Sequence, residues 1–340
     1  MKTIRDADIK NKRVFVRCDF NCPVDENGNI LDDFRIKRTV PTIEYLIKNS
    51  AKVVLASHFG DPEGKVIEGL RLNQVQKKLS EYLNLPVLKA PDCVGDRTKE
   101  MTREIKSGEI ILLENLRFHK EEEENDDSFA KELSSLGDLF VNDAFGTSHR
   151  KHASIVGVPK YLPAFAGFLL EKEAKTLKNV LEKPERPLVG VFGGVKIETK
   201  LPTIKKFIEI ADYVLVGGKI AEEINLSDKK LFVADLTEDG FDISEKSIEK
   251  FKKIINKAKT TVWNGPLGWF EKRESEKGTK EVAIAVAESQ SFKVVGGGES
   301  LFAVTKYGLE NKIDFLSTGG GAMLEFLANE TLPGLEVIPD

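Results

Sequence analysis

The stretch LVGVFGGVKIETKLPTIKKFIEIADYVLVGG, residues 188–218, decides the fold. It opens on a short apolar run, Leu188–Phe192, and breaks at Gly193–Gly194. A segment with helical spacing of its apolar residues follows, then a second run, Tyr213–Val216, ended by Gly217–Gly218. Two such runs separated by a helix-length segment read as a βαβ unit, because parallel strands need a long crossover and a helix supplies it.

Working outward, the alternation continues on both sides. Strands are expected at Thr260–Trp263, Val294–Val295 and Asp314–Leu316 downstream, and at Val14–Val16, Val53–Ala56, Ile110–Leu113 and Leu139–Val141 upstream. Helical periods fill Ile36–Ile47, Leu70–Leu83 and Phe129–Leu136 between the upstream strands. The pattern predicts an α/β protein with mostly parallel sheets. At roughly 100–200 residues per domain, a chain of 340 residues makes about two lobes. Leu170–Leu181 reads as an amphipathic helix closed by LEKPERP, whose prolines cannot continue it. It is the expected linker, at 170–183, between an N-terminal domain at 1–169 and a C-terminal domain at 184–327.

Composition narrows the class of function. A formal net charge of −4 disfavours nucleic acid or an acidic membrane as partner, so a basic site must be a local cluster. Three cysteines, Cys18, Cys22 and Cys93, are too few and too irregular for a disulfide framework, which fits a reducing cytoplasm. The charged N-terminus lacks a signal-peptide core, and no apolar run is long enough to span a membrane.

In open parallel sheets, ligands bind beyond the carboxyl ends of strands. Those positions differ between the halves. In the first half they hold Arg17, Asp19, Asn21, His58, Asn115, Arg117, Asn142, Asp143, His149, Arg150 and His152, with Arg35 added to them. Guanidinium groups fork onto carboxylate and phosphate, so this set suits a small, multiply charged acid. In the second half the strand ends carry Gly193–Gly194 with Lys196, Gly217–Gly218 with Lys219, Asn264–Gly265, Gly296–Gly298 and Gly319–Gly321. Glycine turns leading into helices suit nucleotide phosphates, because bare N–H groups approach the oxygens closely. No GxGxxG follows a strand and no GxxxxGK[ST] occurs, which disfavours a dinucleotide oxidoreductase and excludes a P-loop enzyme. The expectation is a kinase that carries a phosphoryl group between a nucleotide and an anionic metabolite.

These residues fall in motifs that resemble the phosphoglycerate kinase family. They are RVFVRCDFNCPVD (Arg13–Asp25), SHFGDP (Ser57–Pro62), LLENLRFH (Leu112–His119), NDAFGTSHRKHAS (Asn142–Ser154) and AGFLLEKE (Ala166–Glu173). GGVKIETK (Gly193–Lys200), VWNGPLGWFE (Val262–Glu271), VVGGGES (Val294–Ser300) and STGGGAMLEFL (Ser317–Leu327) continue the series. The resemblance implies two Rossmann-like lobes, the N-terminal one completed by the tail 328–340. It implies reversible transfer between 1,3-bisphosphoglycerate and ADP, giving 3-phosphoglycerate and ATP, with Mg2+, in a cytoplasmic monomer of glycolysis. Asp19, Asn21, Arg35, His58, Asp61, Arg117 and Arg150 match its acid-binding positions. Gly194, Lys196, Lys200, Gly218, Asn264, Pro266, Glu271, Gly297, Gly298, Glu299 and Ser300 match its nucleotide side, with Glu299 as the metal position. Arg35, Lys196, Gly320 and Gly321 are the expected catalytic set, and lobe closure is expected to exclude water from the reacting group.

Three departures stand out. Asp61 replaces the family's usual arginine, and Glu299 replaces its usual aspartate. The stretch Lys219–Val262 is only 44 residues, far shorter than the family's, which implies a reduced adenine-side wall and weaker or broader base selectivity. Two rival readings remain: a non-catalytic binding protein that keeps the fold, and a kinase acting on another phosphoacid.

Overall fold

The computed structural model describes residues 1–340. The chain divides into two units, one of Met1–Ala174 with Leu332–Asp340 and one of Lys175–Thr331. The division falls inside a single helix, Phe168–Glu182.

The N-terminal unit is built on a six-stranded parallel sheet of β1 (Arg13–Cys18), β2 (Lys52–Ala56), β3 (Val87–Lys89), β4 (Ile110–Leu112), β5 (Leu139–Asp143) and β6 (Ala164–Ala166). Its order is β3-β4-β2-β1-β5-β6. Val14 of β1 lies opposite Val53 of β2 on one side and Leu139 of β5 on the other. The second unit holds β7 (Leu188–Phe192), β8 (Tyr213–Val216), β9 (Leu231–Val233), β10 (Thr260–Asn264), β11 (Phe292–Gly296) and β12 (Phe315–Leu316). Its order is β12-β11-β10-β7-β8-β9, again parallel throughout. This is the doubly wound arrangement, in which crossovers leave the middle of the sheet in opposite directions and open a crevice at the strand ends. The switch lies between β1 and β5 in the first unit and between β7 and β10 in the second.

Central strands of such a sheet are covered on both faces, so they read as unbroken apolar runs rather than alternating ones. β7 and β10 are buried at every residue. Every strand expected from the sequence is present. The three that the sequence does not signal, β3, β6 and β9, are three-residue strands, each with one sheet neighbour. Leu88 of β3 and Val233 of β9 are exposed. β3 and β9 are partly open to solvent, so no full apolar run marks them, and β6, though mostly buried, is two-thirds alanine, a weak strand former.

Each sheet carries its own core, around Val14, Phe20, Ile43, Leu55 and Val141 in the first unit and Val191, Phe251, Trp263, Phe270 and Val295 in the second. The helix Phe34–Lys48 buries Ile36, Thr39, Ile43 and Leu46 at spacings of three or four, which fixes the stripe facing the sheet. That leaves Arg35 in its first turn, near the end of β1. The helix Glu245–Ile255 starts at Ser244, whose hydroxyl accepts from Ser247 N–H at 3.3 Å, and carries Glu245 at its first turn and Lys252 and Lys253 at its last. The tail returns to the first unit, where Gly334 N–H donates to Ser148 O at 2.8 Å.

Candidate functional site

In the N-terminal unit the expected acid-binding residues gather at the carboxyl ends of β1, β2 and β4. Arg35 Nη1 donates to Asn21 O at 2.9 Å and lies 3.2 Å from Asp19 Oδ2. Asn21 Oδ1 accepts from Gly60 N–H at 2.9 Å, which ties the loop after β2 to the loop after β1. Arg117 Nη1 donates to Gly60 O at 3.0 Å, and its Nε lies 3.1 Å from Glu123. Asp61 is mostly exposed and 4.0 Å from Arg117, a screened pair at the rim. Arg150 is exposed nearby.

Not every strand-end polar residue serves the cluster. Arg17 is fully buried: its Nε donates to Ser154 Oγ at 2.7 Å, Nη1 to Cys18 O, and Nη2 lies 3.3 Å from His58 Nδ1. Glu122, also buried, lies 3.9 Å away and accepts from Ser154. Arg17 therefore holds His58 in place from behind. Asn115 bonds Phe59 N–H, Phe59 O and Leu70 O; Asn142 bonds Ser148 and Gly334. Asp143 accepts from Leu169 and Leu170 N–H at the start of the helix Phe168–Glu182. These three anchor loops.

The histidines record the local field. Burial, then Arg17 and Arg117, holds His58 well below its usual range. Burial, then Arg150, lowers His149 to about 4; burial, then Arg17 and Arg117, lowers His152 to about 3. All three are neutral near pH 7, and the positive potential comes from arginine. Buried polar atoms without a hydrogen bond concentrate here too: His149 Nδ1 and His152 Nδ1, with Asp19 Oδ2 and Arg117 Nε, which have only the ion-pair neighbours Arg35 and Glu123. Native proteins hydrogen-bond nearly all such atoms, so this cluster has spare capacity for a ligand.

In the second unit a cavity of about 390 Å³ opens beside β7, β8 and β10. Gly194, Gly218, Pro266, Glu271 and Glu299, five of the expected nucleotide residues, line it. The loops after β7 and β10 touch so closely that a β-carbon on Gly193 would lie 2.1 Å from Pro266 O. Beyond the cavity the glycine turns continue, where a β-carbon on Gly320 would lie 2.9 Å from Gly297 Cα. Asn264, buried with an unpaired Nδ2, faces Gly297. Lys200 is buried, which lowers its pKa against the opposing pull of Glu299. Lys196 is exposed in the loop after β7, and Ser300 Oγ accepts from Gly265 N–H at 2.6 Å, which fixes the turn. Glu299 is exposed in the first turn of the helix Gly298–Lys306.

The sequence reading omits the aromatic side of this cavity. Phe241 and Trp269 line it with rings 5.4 Å apart at 61°, together with Leu236, Gly240, Asp242 and Leu267. Only their exposure signals them: both are large aromatics left open to solvent, which no linear pattern shows.

Two doubly wound sheets, one ending in a cationic cluster and the other in a glycine-walled cavity, define an α/β phosphotransferase. The comparisons make this particular. The family profile for phosphoglycerate kinase matches residues 4–234 and 225–330. The phosphoglycerate kinase of Aquifex aeolicus (strain VF5) is 43% identical over 391 residues, covering 100% of this chain and 98% of that protein. That of Dictyoglomus turgidum (strain DSM 6724 / Z-1310) is also 43% identical, covering 99% and 98%. The crystal structure of the Pyrococcus horikoshii OT3 phosphoglycerate kinase superposes with a TM-score of 0.87 at 35% identity, covering 99% of this chain and 98% of that one. The chain belongs to the phosphoglycerate kinase family. Because the first alignment runs over 391 residues and this chain has 340, at least 51 positions have no counterpart here. The two profile matches meet at 225–234, inside the short Lys219–Val262 stretch.

Proposed function

We propose that this chain transfers a phosphoryl group reversibly between the acyl phosphate of 1,3-bisphosphoglycerate and ADP, giving 3-phosphoglycerate and ATP, as a step of glycolysis. The observation that carries this reading is the cluster of Arg35, Arg117 and Arg150 at the strand ends, beside buried polar atoms that lack hydrogen bonds. A terminal oxygen of the ADP β-phosphate attacks the acyl phosphorus; the bond from phosphorus to the carboxyl oxygen breaks, and the carboxylate leaves with that electron pair. No proton need move. The residues act by position and charge, because the transition state spreads negative charge over equatorial oxygens.

Arg117, Arg150 and the neutral histidines hold the acid, with Asp19 and Asn21 orienting Arg35. Arg35 and Lys196 are the proposed charge-balancing pair, and the N–H groups of Gly320 and Gly321 receive the moving group's oxygens. Lys200, Asn264, Gly297 and Gly298 hold the nucleotide phosphates, and Glu271 accepts from the ribose hydroxyls. The proposed metal position fits Mg2+. Glu299 offers a single exposed carboxylate, and Mg2+ is commonly held by one or two carboxylates together with water and phosphate oxygens. Bound there, the ion neutralises charge on the nucleotide phosphates. The working form is a cytoplasmic monomer, a reading that rests on the family resemblance and on three unpaired, buried cysteines.

A coupled assay with 3-phosphoglycerate and Mg-ATP tests the reaction. Wild type turns over, and Lys196→Ala and Arg35→Ala each lose about 10²–10³ in kcat, the scale of removing one preorganised donor. Nucleotide binding without turnover in the wild type sinks the proposal.

A further inference from the structure

The edge of the first sheet carries side chains that the kinase reading leaves unused. β3 runs into Ala90, whose N–H donates to Leu112 O at 2.9 Å, so the chain leaving β3 stays beside the end of β4. Asp92 and Cys93 follow on that loop, ahead of the helix Asp96–Glu104. β4 leads through the turn Leu116–Phe118 to His119. The two loops bring Asp92, Cys93 and His119 together: a carboxylate oxygen, a thiol sulfur and a ring nitrogen all lie within 4.8 Å of one another.

Each of the three is held in place. Asp92 O accepts from Thr98 Oγ at 3.0 Å, and Asp92 Oδ1 accepts from Cys93 N–H at 2.7 Å, which fixes both residues on their loop. The His119 ring stacks on Phe129 with centroids 5.4 Å apart at 29°, and its Nε2 lies 2.8 Å from Asp92 Oδ1. Cys93 is fully buried and carries a free thiol. Asp92 and His119 keep 45% and 27% of their side chains open, so a small ion reaches the group from their side.

The surrounding charge is the opposite of that at the arginine cluster. Burial, then Asp92 and Glu122, pushes the Cys93 thiol well up. The hydrogen bond from Asp92 raises His119, with Glu121 and Glu132 adding to it. Lys99 is taken up by Glu132 at 2.8 Å. Carboxylates thus set the field at both groups, and a field of that sign draws a cation and repels a substrate anion.

The donor set selects the cation. Thiolate, imidazole and carboxylate together suit a borderline-soft ion such as Zn2+, whereas Mg2+ takes oxygen ligands. Zn2+ bonds of about 2.0–2.3 Å set the donors of one tetrahedron about 3.3–3.6 Å apart. Small rotations of the two partly exposed side chains, Asp92 and His119, bring the three atoms to that spacing.

We propose that Asp92, Cys93 and His119 form a Zn2+ site that clips the loop after β3 to the loop after β4. On binding, the Cys93 thiol gives its proton to solvent and its sulfur takes the ion. His119 gives up the proton that Nε2 shares with Asp92 and turns that lone pair to the ion. Asp92 supplies one oxygen, and water takes the fourth position. The Mg2+ position proposed at Glu299 lies in the other unit, so this site stands or falls apart from the kinase reading.

Calorimetry on the reduced, metal-free, full-length chain, with Zn2+ titrated in excess Mg2+, tests the site. About one Zn2+ binds per chain with a Kd of about 10 µM or tighter. Cys93→Ala and His119→Gln each weaken it about a hundredfold or more, since losing only a group hydrogen-bonded behind a metal ligand already costs about 10–100-fold. His119→Gln keeps an amide N–H for Asp92, so an unchanged thermal midpoint without metal separates ligand loss from misfolding. With Co2+ in place of Zn2+, a strong near-ultraviolet sulfur-to-cobalt absorption appears in the wild type and is missing in Cys93→Ala. Undiminished Zn2+ binding in either variant, a cobalt complex without the sulfur band, or no saturable binding to the wild type overturns the proposal. Should Cys93→Ala fail to fold, His119→Gln and the wild-type cobalt spectrum decide it.

Discussion

Asp61 places a carboxylate 4.0 Å from Arg117, in a cluster otherwise dominated by arginine, and its side chain is mostly in solvent. Charges at that exposure interact weakly and are screened by salt, so Asp61 lowers the attraction for an anionic substrate without abolishing it. Asp61→Arg reverses the sign. KM for 3-phosphoglycerate falls by about three- to tenfold at low ionic strength, kcat changes little, and the gain shrinks in high salt. A KM that does not respond to this change would place the substrate away from Arg117. At this scale the sequence was informative: Arg17, Arg117, Arg150 and the three histidines could be named from position after a strand, and Asp61 from the family resemblance. It did not separate Arg117, at the rim, from Arg17, which is sealed behind His58 and bound to Ser154. Both are strand-end arginines, and only the burial differs.

The loops after β7 and β10 depend on close backbone approach. Gly193 N–H donates to Asn264 O at 3.0 Å and Gly194 N–H to Pro266 O at 2.7 Å, while a side chain on Gly193 would press into Pro266 O. The obstacle is backbone on a buried turn and cannot swing aside. Gly193→Ala costs about 1–3 kcal/mol, as overpacking does, measured by chemical denaturation. It also weakens ADP binding, because Gly194, Gly218 and Pro266 line the same cavity. Gly298→Ala is the control: nothing lies within 4 Å of its added β-carbon, so stability holds. The elements themselves were readable from periodicity wherever they are covered on both faces. β3 and β9 were not, since they stay partly open to solvent, nor was β6, whose Ala-Phe-Ala run carries little strand signal.

Acid destabilises the whole molecule through three of its four histidines. His149 and His152 have folded values of about 4 and about 3, and His58 is also held low, against an ordinary 6.5. Below pH 6.5 the unfolded chain takes up protons that the folded chain refuses, so stability falls as pH drops toward the folded values. Asp143 opposes this. Burial raises it from 3.8 to about 7, so over that range the folded chain keeps a proton the unfolded chain loses, and stability falls as pH rises. His119, raised by its hydrogen bond with Asp92, and Asp242, raised by burial, act in the same direction as Asp143; the three lowered imidazoles, each refusing a proton across this range, set the net sign. The thermal midpoint therefore drops between about pH 7 and about pH 5, and it drops less in His152→Phe. An equal drop in both would mean His152 takes up its proton in the folded state as readily as in the unfolded one.

The sequence alone carries two α/β halves with mostly parallel sheets, the cationic character of one and the glycine turns of the other. Those features are local: a strand, its turn and the following helix lie within one short stretch, and periodicity or a GG pair records them directly. The tertiary structure alone decided which polar residues are exposed to a ligand and which are anchors. It also decided that Phe241 and Trp269, 28 positions apart, share one face of a cavity. That pairing depends on the turn at Leu236–Ile243 being clipped to the loop after β10 by long-range backbone hydrogen bonds and packing. Contacts of that kind form only when distant segments fold together, so neither segment carries a mark of the other in its own sequence.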